Sequence, residues 1–140
     1  MTQVDFYTHV DNKLSFACQI TAIAVAKQLP VLVYAPSAED AAKLDALLWT
    51  TPPLSFVPHC APENRLAPET PVIIAHQPHE FHHHRVLVNL RTEWPPFFSR
   101  FERLIEIVSK DEADKAAARA RWKFYKDRGY QMQSHDMSPK

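Results

Sequence analysis

The chain has 140 residues, 46% of them hydrophobic, and its 16 basic and 16 acidic side chains give a formal net charge of zero. This length and composition predict one domain with a substantial core and exclude extensive disorder. The balanced charge argues against a large nucleic-acid footprint, which needs an extended basic surface. Residues 110–140 nevertheless carry 8 basic and 5 acidic side chains, so we expect a local cationic patch there.

The first residues contain neither a basic leader nor a long apolar run, so we expect no secretory signal. No segment approaches the length of a membrane-spanning helix. Cys18 and Cys60 lie in no pairing motif and are expected to be reduced thiols. These features favour a cytoplasmic protein with no membrane partner.

The first predicted elements are a strand and a helix. Val4–Val10 alternate in polarity and are rich in β-branched and aromatic side chains, which is typical of a strand. A helix begins at Ser15 and stops at Pro30. Because this helix is apolar on nearly all sides, we expect the domain, or the domain and a partner, to cover both its faces.

A second strand and helix follow. The continuous apolar run Val31–Ala35 is typical of a buried parallel strand. Ser37 and Asp40 resemble a capping box, which predicts a helix that ends near Trp49. Strand, helix, strand and helix in succession indicate a right-handed parallel unit.

The middle of the chain is rich in proline, which resists both helices and central strands, so most of residues 50–71 should lie at the surface. Leu54–Val57 form a short predicted strand within this segment. Three further strands are predicted at Val72–Ala75, Arg85–Leu90 and Leu104–Val108.

The order of these elements predicts an α/β fold. We expect a single domain over residues 1–130, with a mostly parallel, Rossmann-like sheet of five or six strands and helices on both faces. Residues 131–140 are expected to form a flexible C-terminal tail.

The last predicted helix spans Asp111–Gly129. Alanine and long charged side chains dominate it, acidic residues lie in its first turn, and basic residues lie in its last turn. Gly129 suits the left-handed turn that commonly ends a helix. At about 100° per residue, one narrow face, which we predict to be buried, contains Ala113, Ala117, Ala120 and Phe124.

The opposite face of this helix places a tryptophan among cations. In one interpretation, the indole packs against residues 130–140 and the cations form an ordinary solvated face. In the other interpretation, the face binds an acidic peptide that carries an aromatic side chain. Arginine can bind a carboxylate through two parallel hydrogen bonds, and an indole provides an apolar contact surface. The face comprises Lys115, Arg119, Trp122 and Lys126, with Arg121 and Lys123 on either side.

The sequence gives little support to either of two kinds of enzyme site. A phosphate-binding loop needs glycine for close backbone approach, but the first strand-to-helix turn has none and Gly129 is the only glycine in the chain. Five of the eight histidines lie within His76–His84, which makes a small metal-dependent α/β enzyme the alternative function. Few acidic residues accompany these histidines, so we predict no metal site there. Because a phosphate-binding loop is also absent, we predict no cofactor and no catalytic residue.

Three aromatic residues lie beside prolines. Trp49, Phe56 and Trp94 flank proline-rich loops and either cap the edges of the core or form a hydrophobic surface for a partner subunit. Side chains held on proline-stiffened loops lose little entropy on binding.

Several stretches together resemble the chi subunit of bacterial DNA polymerase III. They follow the family's order over nearly the whole chain, which makes the match far more specific than any single motif. The stretches are Phe6 and Tyr7, Leu14 and Ser15, the run VLVYAPSAEDAAKLDALLW, SFVPH at Ser55–His59, NLRT at Asn89–Thr92, and ARARWKFYKDRGY.

The resemblance implies a non-catalytic adaptor of the clamp-loader assembly in DNA replication. Such an adaptor joins the psi subunit and binds the acidic C-terminal tail of single-stranded DNA-binding protein, and so associates indirectly with single-stranded DNA. By position, Lys115, Arg119 and Trp122 match the family's tail-binding residues, with tryptophan where tyrosine is familiar, and Lys123 and Lys126 lie beside them. Trp49 and Phe56 match aromatic positions that face psi.

Overall fold

The computed structural model describes residues 2–50 and 58–138, in which one sheet of seven strands carries three α-helices. The strands are Gln3–Val10 (β1), Val31–Tyr34 (β2), His59–Cys60 (β3), Val72–Ala75 (β4), Val86–Asn89 (β5), Arg103–Ser109 (β6) and Gln131–Asp136 (β7). The helices are Lys13–Ala26 (α1), Ala38–Thr50 (α2) and Glu112–Asp127 (α3).

The sheet has the order β3-β4-β2-β5-β6-β1-β7, and every pairing is parallel. The predicted α/β, Rossmann-like fold is therefore confirmed, although the described residues contain more strands than the five or six expected. The predicted strand Leu54–Val57 lies outside the described residues.

Two hydrophobic layers enclose the sheet, one on each face. Helices α1 and α2 cover one face, where Ala17 and Leu44 join alternate strand residues such as Val33 and Ile107. Helix α3 and the segment 97–101 cover the other face. As predicted, helices lie on both faces of the sheet.

Helix α1 begins at Lys13, two residues before the predicted start. Asn12 is its N-cap, because the Asn12 side chain accepts a hydrogen bond of 3.0 Å from the backbone N–H of Ser15. The Ser37 hydroxyl likewise accepts a hydrogen bond from the Asp40 backbone at the start of α2, which confirms the predicted cap.

Strand β7 departs from the expectation of a C-terminal tail. Gln131–Asp136 pair with β1 in parallel over the six positions from Gln3 to Thr8. The strand was missed because its sequence, QMQSHD, is polar and lacks the β-branched residues that signal a strand. At the outer side of β1, such a sequence suits an exposed edge.

The predicted buried face of α3 is wrong by one position. Ala113 and Ala120 are exposed, and Ala117 and Phe124 are only partly buried. The error arose because burial was assigned to the smallest and most apolar stripe, whereas the buried polar members of the true face have partners inside the protein. The residues that α3 buries against the sheet are Asp114, Ala118, Arg121 and Tyr125.

No helix within the described ranges is long and apolar enough to cross a membrane.

Candidate functional site

A cleft of about 280 Å³ lies between α3 and the adjacent part of the sheet. Phe6 of β1, Val108 of β6 and Ala118 of α3 contribute its apolar surface. Lys115, Arg119 and Trp122 line the same cleft, so the structure brings together the three predicted residues at the centre of the cationic face. The strand side is completed by Thr8, His9 and Ser134.

Trp122 forms one wall of the cleft. Its ring packs edge to face on Phe6, with centroids 5.2 Å apart and planes at 67°, and the side chain is partly buried against the α3 layer of the core. The indole is therefore neither sealed in the interior nor fully solvated. Because its position is fixed by packing on the sheet, it presents a preformed apolar surface to the cleft.

The two cations of the cleft differ in their surroundings. Lys115 Nζ lies 3.4 Å from Glu112 Oε1, but this is a solvent-exposed contact between neighbouring turns of the helix and contributes little. Arg119 is exposed, and no carboxylate within residues 2–50 and 58–138 pairs with its guanidinium. Lys123 and Lys126 are also exposed, but neither lines the cleft.

Hydrogen bonds at the start of α3 fix the helix relative to β6 and α1. The Asp111 side chain caps the helix by accepting from the Asp114 backbone N–H at 3.1 Å. Asp114 accepts from the Ser109 backbone N–H at 2.8 Å and pairs with Lys13 at 3.3 Å. Burial acts to raise the pKa of Asp114, but the Ser109 and Lys13 contacts outweigh it and lower the pKa.

A buried polar network fixes the middle of α3. Glu106 of β6 is fully buried and accepts hydrogen bonds from the Tyr125 hydroxyl at 2.6 Å and from Asn89 Nδ2 at 2.8 Å. Arg121 Nε lies 3.2 Å from Glu106 Oε1, and Arg121 Nη1 donates to the Thr92 carbonyl at 2.7 Å. Because Arg121 faces the sheet, the next residue, Trp122, is directed toward the cleft.

Ionisation in this network is shifted by burial. Burial raises the pKa of the Glu106 carboxyl, although Arg121, Tyr125 and Asn89 act in the opposite direction. Burial and the neighbouring Glu106 raise the pKa of the Tyr125 hydroxyl, which therefore remains a donor. A carboxyl group in this position is stabilised by specific partners rather than by solvent.

Comparison with known proteins identifies the family. Residues 1–133 match the family model described as DNA polymerase III chi subunit, HolC. The chain belongs to the DNA polymerase III chi subunit family. The resemblance predicted from the sequence is thereby confirmed over nearly the whole chain.

Three relatives named DNA polymerase III subunit chi support this membership. The protein of Pseudomonas aeruginosa is 31% identical over 139 residues, covering 96% of both chains. The protein of Escherichia coli is 30% identical over 132 residues, covering 94% of this chain and 88% of its own. The protein of Haemophilus influenzae is 30% identical over 122 residues, covering 86% and 85% respectively.

Trp49, one of two aromatic residues that the chi resemblance assigns to psi binding, lies at the C-terminal end of α2. Its side chain is 54% exposed, and its ring lies 4.4 Å from that of His59, measured between centroids. Phe56, the second residue, lies outside the described residues. Trp94 belongs to a different surface, where its ring stacks on Phe124 at 3.7 Å.

The histidine-rich segment of this chi-family chain does not form a metal centre among the described residues. No three His, Cys, Asp or Glu side chains converge there, or elsewhere in residues 2–50 and 58–138, in a way that could hold a metal ion. His83 is partly buried, and burial together with neighbouring His84 and His82 lowers its pKa to about 4. The described residues of this segment therefore provide no set of metal ligands for the alternative function, a metal-dependent enzyme.

Side chains occupy the carboxyl edge of the sheet beside β2, β4 and β5, which is part of the edge where α/β folds commonly bind ligands. Lys13 Nζ donates to the Leu90 carbonyl at 3.1 Å, and Arg91 Nη1 donates to the His76 carbonyl at 2.9 Å. The Arg91 guanidinium also lies over the Tyr34 ring. The cleft beside α3 lies farther along the same edge of this chi-family fold, at the carboxyl ends of β1 and β6.

Sequence reasoning missed the strand residues of the cleft. Thr8 and His9 lie in the predicted strand Val4–Val10, but regular alternation would send their side chains to opposite faces of the sheet. Ser134 was missed with the whole of β7. The pairing of β1 with β6 is irregular between Tyr7 and Val10, and no glycine in this part of the sequence indicates that irregularity.

Proposed function

We propose that this chain is a non-catalytic accessory subunit of the DNA polymerase III assembly, with two protein partners. One is the psi subunit, and the other is the acidic C-terminal tail of single-stranded DNA-binding protein. The observation that carries the proposal is the shared cleft of Lys115, Arg119 and Trp122, which combines two cations with an apolar wall.

Each part of the cleft matches one property of such a tail. Acidic side chains of the tail are attracted to Lys115 and Arg119. The Arg119 guanidinium, which pairs with no carboxylate among the described residues, binds the terminal carboxylate of the tail through two hydrogen bonds. The apolar residues that end the tail pack on Trp122 and Phe6.

The second partner binds at the surface of Trp49. An indole that is 54% exposed at the end of a helix can supply a large contact area with little loss of side-chain entropy. Psi bound there holds the clamp loader, while the cleft on the α3 face remains available to the tail. Several tails on one coated DNA strand raise the effective concentration, so modest affinity for each tail suffices.

The direct test is a titration of the purified chain with a synthetic acidic peptide that ends in two apolar residues and a free carboxylate. Binding is followed by the anisotropy of a dye on the peptide and by tryptophan fluorescence. Raising the salt from about 50 to 200 mM should weaken binding about three- to tenfold, because exposed ion pairs are screened.

A peptide of the same composition with an amidated C-terminus is the matched control for this titration. It should bind more weakly, since it lacks the carboxylate that the arginine fork holds. Equal affinities for the two peptides, or an affinity that does not change with salt concentration, would contradict the proposed mode of peptide binding.

Trp49→Ala should impair psi binding and leave peptide binding unchanged. Removing a central aromatic anchor from an interface costs about 2 kcal/mol or more, or roughly thirtyfold in affinity. The measurement is co-purification and calorimetry with psi, beside the peptide titration above.

Trp94→Ala is the matched control for Trp49→Ala, because Trp94 is another exposed indole but lies on the α3 side of the molecule. It should bind psi normally. Loss of both partners in Trp49→Ala, with an unchanged circular dichroism spectrum, would mean that the two surfaces are not separate.

A further inference from the structure

His9 enters the cleft because strand β1 is irregular at its end. Tyr7 pairs with Ile107 of β6, but the next aligned pair is Val10 with Ser109. Two residues of β1, Thr8 and His9, therefore oppose one residue of β6, which is a β-bulge.

The backbone of His9 accounts for this bulge. Its φ is +59°, a left-handed conformation that is uncommon outside glycine, although histidine and asparagine are among the residues that tolerate it.

The bulge changes which side chains face α3. In a regular strand, His9 would share a face with Tyr7, and Val10 would lie on the opposite face. Instead, Tyr7 and Val10 both pack in the layer with α1, and His9 lines the cleft with Thr8. Bulges often redirect a side chain at functional sites, and the effect here is to place an imidazole in the same cleft as two cations.

Groups from three elements face this ring. Its Nδ1 lies 3.1 Å from Asp136 Oδ1 on β7 and 3.2 Å from Thr8 Oγ1 on its own strand. Lys115 and Arg119 face the same cleft from α3. The His9 side chain is 40% exposed, so both solvent and a ligand can reach it.

We propose that His9 is a further ligand-binding residue of the cleft, and that binding of an anionic peptide end is coupled to protonation of His9. This inference rests on the function proposed above. An anionic ligand that pairs with Lys115 and Arg119 also brings negative charge to the imidazole, so the protonated ring binds it more tightly than the neutral ring. By linkage, binding takes up protons, and affinity rises as the pH falls.

The test is the acidic-peptide titration at pH 6 and pH 8, with His9→Asn as the variant. Asparagine is neutral and tolerates the left-handed backbone, so the bulge is kept. For the parent chain, affinity should be about fivefold higher at pH 6 than at pH 8, because the protonated ring attracts the anionic peptide end. In His9→Asn this pH dependence should be lost. Calorimetry in two buffers of different ionisation enthalpy should show proton uptake by the parent only.

His135→Gln is the control for a general histidine effect. His135 follows Ser134 on the same strand but faces the opposite side of the sheet, where it stacks on Tyr7 at 4.5 Å and contacts Asp5. This variant should keep the pH dependence of the parent.

The outcomes separate the two proposals. If the parent and His9→Asn bind with the same pH dependence, the inference about His9 fails while the proposed function stands. If the parent does not bind the peptide at either pH, the proposed function fails and this inference fails with it.

Discussion

Arg119→Ala is expected to weaken binding of the acidic peptide by about tenfold to a hundredfold, whereas Lys126→Ala should change it about twofold. A hydrogen bond between charged groups contributes about 1.5 to 3 kcal/mol, and the larger loss corresponds to removal of such a bond from a defined site. Arg119 lines the cleft beside Trp122, but Lys126 lies outside it. The measurement is the peptide dissociation constant of each variant at one fixed salt concentration.

The comparison of these two variants separates site binding from general attraction. Both remove one positive charge from the same helix, so a purely electrostatic attraction would respond equally to both. Arg119→Lys sharpens the test, because lysine retains the charge without the planar fork that a carboxylate prefers. We expect Arg119→Lys to recover only part of the affinity. Equal losses in the two alanine variants would reduce the site to diffuse charge attraction.

The sequence was sufficient to predict the order of the main elements. Continuous apolar runs such as Val31–Ala35 are characteristic of strands buried on both faces, and they gave the parallel α/β fold correctly. The short strand His59–Cys60 and the polar strand β7 were missed. Their position comes from pairing with β4 and β1, and pairing between distant segments leaves little signal in the local sequence.

The cleft could be predicted from the sequence only in part. Helical periodicity correctly placed Lys115, Arg119 and Trp122 on one face, because that arithmetic needs only the helix itself. The same periodicity gave the wrong buried face. It assigned Arg121 to the cationic side of α3, whereas this side chain is 1% exposed and packs between α3 and the sheet. The helical pattern alone cannot show that Glu106, on the preceding strand β6, supplies a buried partner for this guanidinium.

Arg121→Met is expected to lower the free energy of unfolding by about 3 to 5 kcal/mol, because it leaves the Glu106 carboxyl buried without its cation. Glu106→Gln should cost a similar amount by leaving the Arg121 guanidinium buried without a carboxylate. The double variant should lose much less than the sum of the two, since neither uncompensated charge remains. Urea unfolding of the four proteins at pH 7 measures the coupling.

The pH dependence of Arg121→Met tests the same mechanism independently. Burial already raises the pKa of Glu106, and removing Arg121 removes the largest opposing influence. A carboxyl whose folded pKa lies above its unfolded value contributes stability at low pH and loses that contribution as the pH rises through the folded pKa. The stability deficit of Arg121→Met relative to the parent should therefore grow from about pH 5 to pH 8.

Lys123→Met is the matched control, because it removes a cation from an exposed position two residues along the same helix. Its stability should stay within about 0.5 kcal/mol of the parent at every pH. Arg121→Met with a deficit as small as this control would mean that the buried pair does not hold α3 on the sheet. The alignment of Lys115, Arg119 and Trp122 along the cleft would then depend on the Asp111 and Asp114 contacts at the start of the helix instead.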